Sequence, residues 1–147
     1  MTLERGNAFT PVASATMIWP WGTATAAGAV LGAVDFLFSL NQGLGAIPSA
    51  LGTAIIAFAL VGGGVALLGK KGDRRARRYA GQYPWRFAMV PAAVGGAGSA
   101  LLSFIAAALG GSFVLGLFGA IMSGVASAAL IWVILGIIGM VAGNKSA

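Results

Sequence analysis

Seven of the nine basic residues fall between Lys70 and Arg86, and the sequence on both sides is almost unbroken Ala, Gly, Val, Leu, Ile and Phe. Charge confined in this way to one segment is the pattern of a polytopic membrane protein with a single cytoplasmic connection, because Lys and Arg beside a span are retained on the inner face. Only 8% of the residues are charged and the mean hydropathy is +0.93, which leaves too little polar surface to coat a water-soluble globule. A span takes about 20 apolar residues, so a chain of 147 residues accommodates four spans in one membrane domain.

The apolar stretches are 23–40, 47–68, 87–109 and 113–141. Backbone groups in hydrocarbon must be satisfied within their own segment, so these stretches are expected as helices rather than strands. Asn41-Gln42-Gly43-Leu44-Gly45 separates the first two, and Gly110-Gly111-Ser112 separates the last two. Each pair therefore reads as a tight helical hairpin, with residues 70–86 as the basic cytoplasmic loop between them. An even number of crossings then puts both termini in the cytoplasm, beside Arg5 and Lys145, at a bacterial plasma membrane. The N-terminus has no basic n-region with a short apolar core, and is read as retained rather than as a cleaved signal.

The two hairpins resemble each other at an offset of 64 residues. Trp19-Pro20-Trp21 leads into the first span and Tyr83-Pro84-Trp85 into the third, and nine of the twenty positions in 20–39 match those in 84–103. The second halves match only at Leu51/Leu115, Gly52/Gly116 and Val61/Val125. Two hairpins of like orientation predict a parallel repeat about a pseudo-twofold axis along the membrane normal.

Helices in lipid associate through close packing of small residues. Four-residue stripes suited to this are Ala24, Gly28, Gly32 on the first span; Ala88, Ala92, Gly96, Ala100 on the third; and Gly116, Ala120, Gly124, Ala128 on the fourth. They predict a compact four-helix bundle. The large faces, Phe36, Leu37, Phe38 and Leu40 on the first span and Leu130, Ile131, Trp132, Ile134 and Leu135 on the fourth, are then left for lipid or a partner. Trp132 reads as ordinary packing or as an interface anchor, and Pro91 as a bend near the start of the third span.

The chain has no Cys and no His, and its three carboxylates are Glu4, Asp35 and Asp73. No metal, haem, cofactor or catalytic constellation is expected from that inventory, and the chain reads as non-enzymatic. Asp35 is the only ionisable residue within a span, which makes it the candidate ion or proton site. Its equivalent under the repeat is Ser99, so the two are expected to face each other near the pseudo-axis, with Ser39 and Ser103 nearby. A first span starting near Ser14 would instead carry Asp35 to the outer interface. Lys70, Lys71, Arg74, Arg75, Arg77, Arg78 and Arg86 set topology and form a candidate patch for anionic lipid or an acidic partner. Tyr79 and Tyr83 are interleaved with them, which is weak support for a nucleic-acid face.

Three functions fit these features. The first is an accessory or assembly subunit of a larger membrane complex, respiratory or transport machinery for example. The second is a small proton- or cation-linked transporter or channel using Asp35, including a homo-oligomeric pore. The third is a holin-like permeabiliser. Membrane lipids and a larger complex or further copies of the chain are the expected partners.

Overall fold

Two prolines decide where the first hairpin and the second hairpin begin. The computed structural model describes residues 11–69 and 74–144, which contain helices and turns and no strand. The order is α1 (Pro11–Ile18), α2 (Trp21–Phe38), a 3-10 turn over Leu40–Gly45, α3 (Ala46–Leu68), α4 (Arg74–Gln82), α5 (Pro84–Leu109) and α6 (Phe113–Asn144). Pro20 precedes α2 and Pro84 opens α5, the position where a missing N–H costs a helix nothing. Four of these helices, α2, α3, α5 and α6, are long and apolar enough to cross a membrane, the architecture of a multi-pass membrane protein.

Two expectations about element boundaries are corrected. The first span does not start near Ser14: residues 11–18 form the separate helix α1, broken from α2 at Trp19-Pro20. The segment 70–86 is not a loop throughout, because Arg74–Gln82 is helical and α5 begins at Pro84. Short α1 packs on α4 and α5. Ser14, Ala15 and Ile18 face Ala76, Ala80 and Phe87 in a buried cluster, and the Ser14 hydroxyl donates to the Ala76 carbonyl at 2.8 Å. Together α1 and α4 cover the end of the helices at which the arginines lie, here the basic end. The opposite end carries both hairpin turns.

Each turn uses a glycine with positive φ, Gly43 at 59° and Gly111 at 75°. At the second turn the Ser112 N–H reaches the Ala107 carbonyl and the Gly111 N–H the Ala108 carbonyl, at 3.0 and 3.1 Å. This paired pattern closes a helix through a left-handed residue.

Within each hairpin the small residues form the seam. A Cβ at Gly32 would meet the Ala54 methyl and the Ala50 carbonyl of α3; a Cβ at Gly96 would meet the Ala128 methyl and the Gly124 carbonyl of α6. Ala24, Gly28, Ala92, Gly116 and Ala120 are also buried. Gly28 lies against Ala54 and Phe58, and Gly116 against Ala107. Aromatic pairs stand at the basic end of each seam: Trp21 on Phe58, with ring centroids 6.2 Å apart, and Trp85 on Trp132, 4.8 Å apart.

The hairpins meet through α3, which packs on both α5 and α6, whereas α2 packs extensively on α3 alone among the four long helices. A three-helix core with α2 on its flank therefore replaces the expected four-helix bundle. Ile131 and Leu135, expected to be left for lipid or a partner, are fully buried in that core with Ala59, Ala88 and Ala92. The reason is space: glycines face them, Gly95 against Ile131 and Gly63 against Leu135. Leu130, Trp132 and Ile134 on the same helix remain exposed.

Candidate functional site

Asp35 lies fourteen residues into α2, about 21 Å along the axis from Trp21. It is the only carboxylate among the described residues and is half-buried. Its partner is on α3: the Ser49 hydroxyl donates to Asp35 Oδ2 at 2.8 Å. Ser49 is in the first turn of α3, near the positive end of that helix dipole. The expected facing of Asp35 and Ser99 is not what forms, because α2 reaches α3 rather than α5.

Ser99 instead belongs to a cavity of about 400 Å³ bounded by α3, α5 and α6. Six hydroxyl side chains line it: Ser49 and Thr53 from α3, Ser99 and Ser103 from α5, Ser123 and Ser127 from α6. Ser103 and Ser123 hydrogen-bond to each other at 3.0 Å. Ser99 is 4% exposed, and its Oγ is buried without a partner. Ser39 is buried at the end of α2 and does not line the cavity.

The hydroxyls recur four residues apart on each helix, which places both members of a pair on one face. Asp35 and Ser39 repeat the same spacing on α2. This was the signal that would have disclosed Ser49, Thr53, Ser123 and Ser127, which a search for charged residues passes over.

A second cavity, of about 550 Å³, is apolar and lies between α2, α3 and α5. Gly28, Ala54, Gly95 and Gly98 contribute its small residues, and Trp19 and Phe58, with rings 5.5 Å apart, its bulky wall. Trp21 and Val94, both of which line it, are 60% and 59% exposed, so the groove opens sideways. Pro91 lines it as well.

At the basic end, Arg77 donates from Nη1 to the Gly69 carbonyl at 2.7 Å. A cation at the end of α3 complements the negative end of the helix dipole. Arg86 stacks over the Tyr83 ring at 5.3 Å, and Tyr83 contacts Tyr79. Arg78 and Arg86 are exposed. Arg74 and Arg75 are on α4; their side chains, and the whole of Lys70 and Lys71, lie outside the described residues.

Comparison with known protein families, curated proteins and solved structures finds no match to this chain.

Proposed function

We propose that the chain is a non-enzymatic, multi-pass protein of the bacterial plasma membrane that serves as an accessory or assembly subunit of a larger complex. The observation that carries this reading is the sideways-open apolar groove beside α2. Small residues let helix backbones approach closely in lipid, and Ala29, Ala54 and Gly98, none of them buried, present such a surface where α2 leaves α5 uncovered. A spanning helix of a partner laid there would complete the packing around α3. The experiment is extraction of native membranes in mild detergent with a tagged chain. Larger partners are expected in fixed ratio, and Ala29→Trp, which fills the groove from the exposed side of α2, is expected to remove them without lowering the chain's own melting temperature. Recovery of the chain alone overturns the reading.

Orientation follows from the arginines: Arg77, Arg78 and Arg86 all belong to the end where α3 finishes and α5 begins, which supports a cytoplasmic placement of that end and of both termini.

The two hairpins read as parallel copies of one unit. First helices correspond at an offset of 64, as Gly32 with Gly96 and Trp21 with Trp85. Second helices correspond at 74, since Gly32 contacts Ala50 and Ala54 while Gly96 contacts Gly124 and Ala128. Phe58 and Trp132, Ser49 and Ser123, Thr53 and Ser127, and Gly62 and Gly136 fall into the same register. The second copy is longer by ten residues between its seam positions, through longer helices rather than a longer turn, which accounts for the thin match of the second halves at 64. The correspondence holds within the hairpins; the α3–α5 packing has no equally extensive counterpart between α6 and α2.

A second reading, a small proton- or cation-linked transporter, is favoured by the contact of Asp35 with a hydroxyl of the cavity wall. Reconstitution of the pure chain in liposomes tests it: flux lost in Asp35→Asn supports transport, and no flux above empty liposomes rejects it.

A further inference from the structure

Polar pairs recur at four-residue spacing: Asp35 with Ser39, the residue that follows α2, and, within the other three spans, Ser49/Thr53, Ser99/Ser103 and Ser123/Ser127. Three of these pairs line one cavity, and the fourth reaches its wall through the hydrogen bond from Ser49 to Asp35. Hydroxyls in a hydrocarbon environment are costly unless they are satisfied, and one helix could satisfy its own by bonding back to its backbone. Here Ser99 is buried with its Oγ unpartnered, and the Ser103 and Ser123 hydroxyls turn to each other across helices. We infer that this cavity is a binding site for a hydrated monovalent metal cation, with the hydroxyl oxygens as its ligands and Asp35 as its counter-charge.

Chemistry and charge select the class of ligand. Hard cations take oxygen donors, and the lining offers six hydroxyl oxygens and no nitrogen or sulfur side chain. By donating its proton to Asp35, Ser49 leaves its lone pairs for the cavity. The described Lys and Arg residues are Arg74, Arg75, Arg77, Arg78 and Arg86, all on α4 or the first turn of α5, so none reaches Asp35 as a salt-bridge partner. The first turns of α3 supply roughly half a positive charge. That leaves about half a negative charge of one carboxylate, which balances much of a monovalent ion, whereas a divalent ion would stay largely uncompensated in a medium of low dielectric. A cavity of about 400 Å³ is far larger than the ~30 Å³ of one water molecule in the liquid, so the ion keeps part of its hydration.

The inference uses the same residues as the transport reading but asks only for binding, so absence of flux with binding intact counts against transport alone. The test is titration of the purified full chain in lipid nanodiscs with NaCl and with KCl, at ionic strength held constant by choline chloride, read by calorimetry and by 23Na line broadening. A saturable response to at least one alkali chloride, absent with choline, is expected. Ser99→Ala combined with Ser127→Ala is expected to weaken it at least tenfold; Ala suits a helix interior, so this variant keeps its fold. Asp35→Asn is expected to weaken it as much or more, while Ser112→Ala in the turn leaves it unchanged. An equal response to choline chloride, or an unaltered affinity in the double Ser variant, overturns the assignment and leaves a cavity that holds water only.

Discussion

Single atoms decide how closely these helices approach. At Gly96 an added methyl would stand 2.7 Å from both the Ala128 Cβ and the Gly124 carbonyl oxygen, while at Gly119 it would meet nothing. Gly96→Ala is therefore expected to destabilise the second hairpin by about 1–3 kcal/mol, the usual cost of overpacking. Gly119→Ala is expected to be neutral or slightly stabilising, because Ala is the better helix former. Unfolding of both variants in mixed micelles with increasing SDS measures the difference. Ile131→Ala, at a fully buried position, is expected to cost about 2–5 kcal/mol through the void it leaves beside Gly95, and Leu130→Ala, which is exposed, little. The sequence singled out Asp35 because an acid in a span is rare, and its neighbours escaped notice because serine and threonine are neutral and common. What distinguishes Ser49, Thr53, Ser123 and Ser127 is their spacing, which gains meaning only once α3 and α6 are known to face α5.

At the level of elements, the four long helices were legible from length and hydropathy, and the short ones were not. The arginines of α4 resemble a solvated loop until Ala76 and Ala80, four apart, are seen to form its buried face against α1. Helix α1 was not legible either, because nothing before Trp19-Pro20 marks a helix whose partner, α4, is more than fifty residues away. The pair α1 and α4 closes the basic end, and Arg77 ties it to the last turn of α3 through the Gly69 carbonyl. Arg77→Ala is expected to fray that turn at a cost of about 0.3–1 kcal/mol. Faster hydrogen exchange at the amides of 66–69, with those of 50–60 unchanged, is the measurement. The seam register was half legible: Gly32 and Gly96, 64 residues apart, each lie in a seam, and the longer helices of the second hairpin put the partners of Gly96 out of that register.

On the scale of the whole molecule, stripes of small residues identify faces that pack without naming the face they pack against, which is why a closed bundle was expected and a three-helix core with α2 on its flank is found. The two hairpins are joined along α3, with Ala59 and Gly63 against Gly95, Ile131 and Leu135 at the centre, and by α1 against α4 and α5 at the basic end. Each hairpin also has its own seam and its own aromatic pair. Two fragments divided in the 70–73 segment, expressed together, are therefore expected to insert separately and associate into a complex that co-purifies. Gly63→Leu, which drives a branched side chain into Leu135, is expected to abolish that association while each hairpin still inserts. Orientation is tested in the same membranes. Because the chain contains no cysteine, a single cysteine reports its own location without background. Leu44→Cys and Ser112→Cys, one in each turn, are expected to react with a membrane-impermeant maleimide added to intact cells, and Gln82→Cys at the basic end only after the membrane is opened. Reaction of Gln82→Cys in intact cells would invert the orientation, and reaction of only one of the two turn positions would mean that the hairpins do not run the same way through the bilayer.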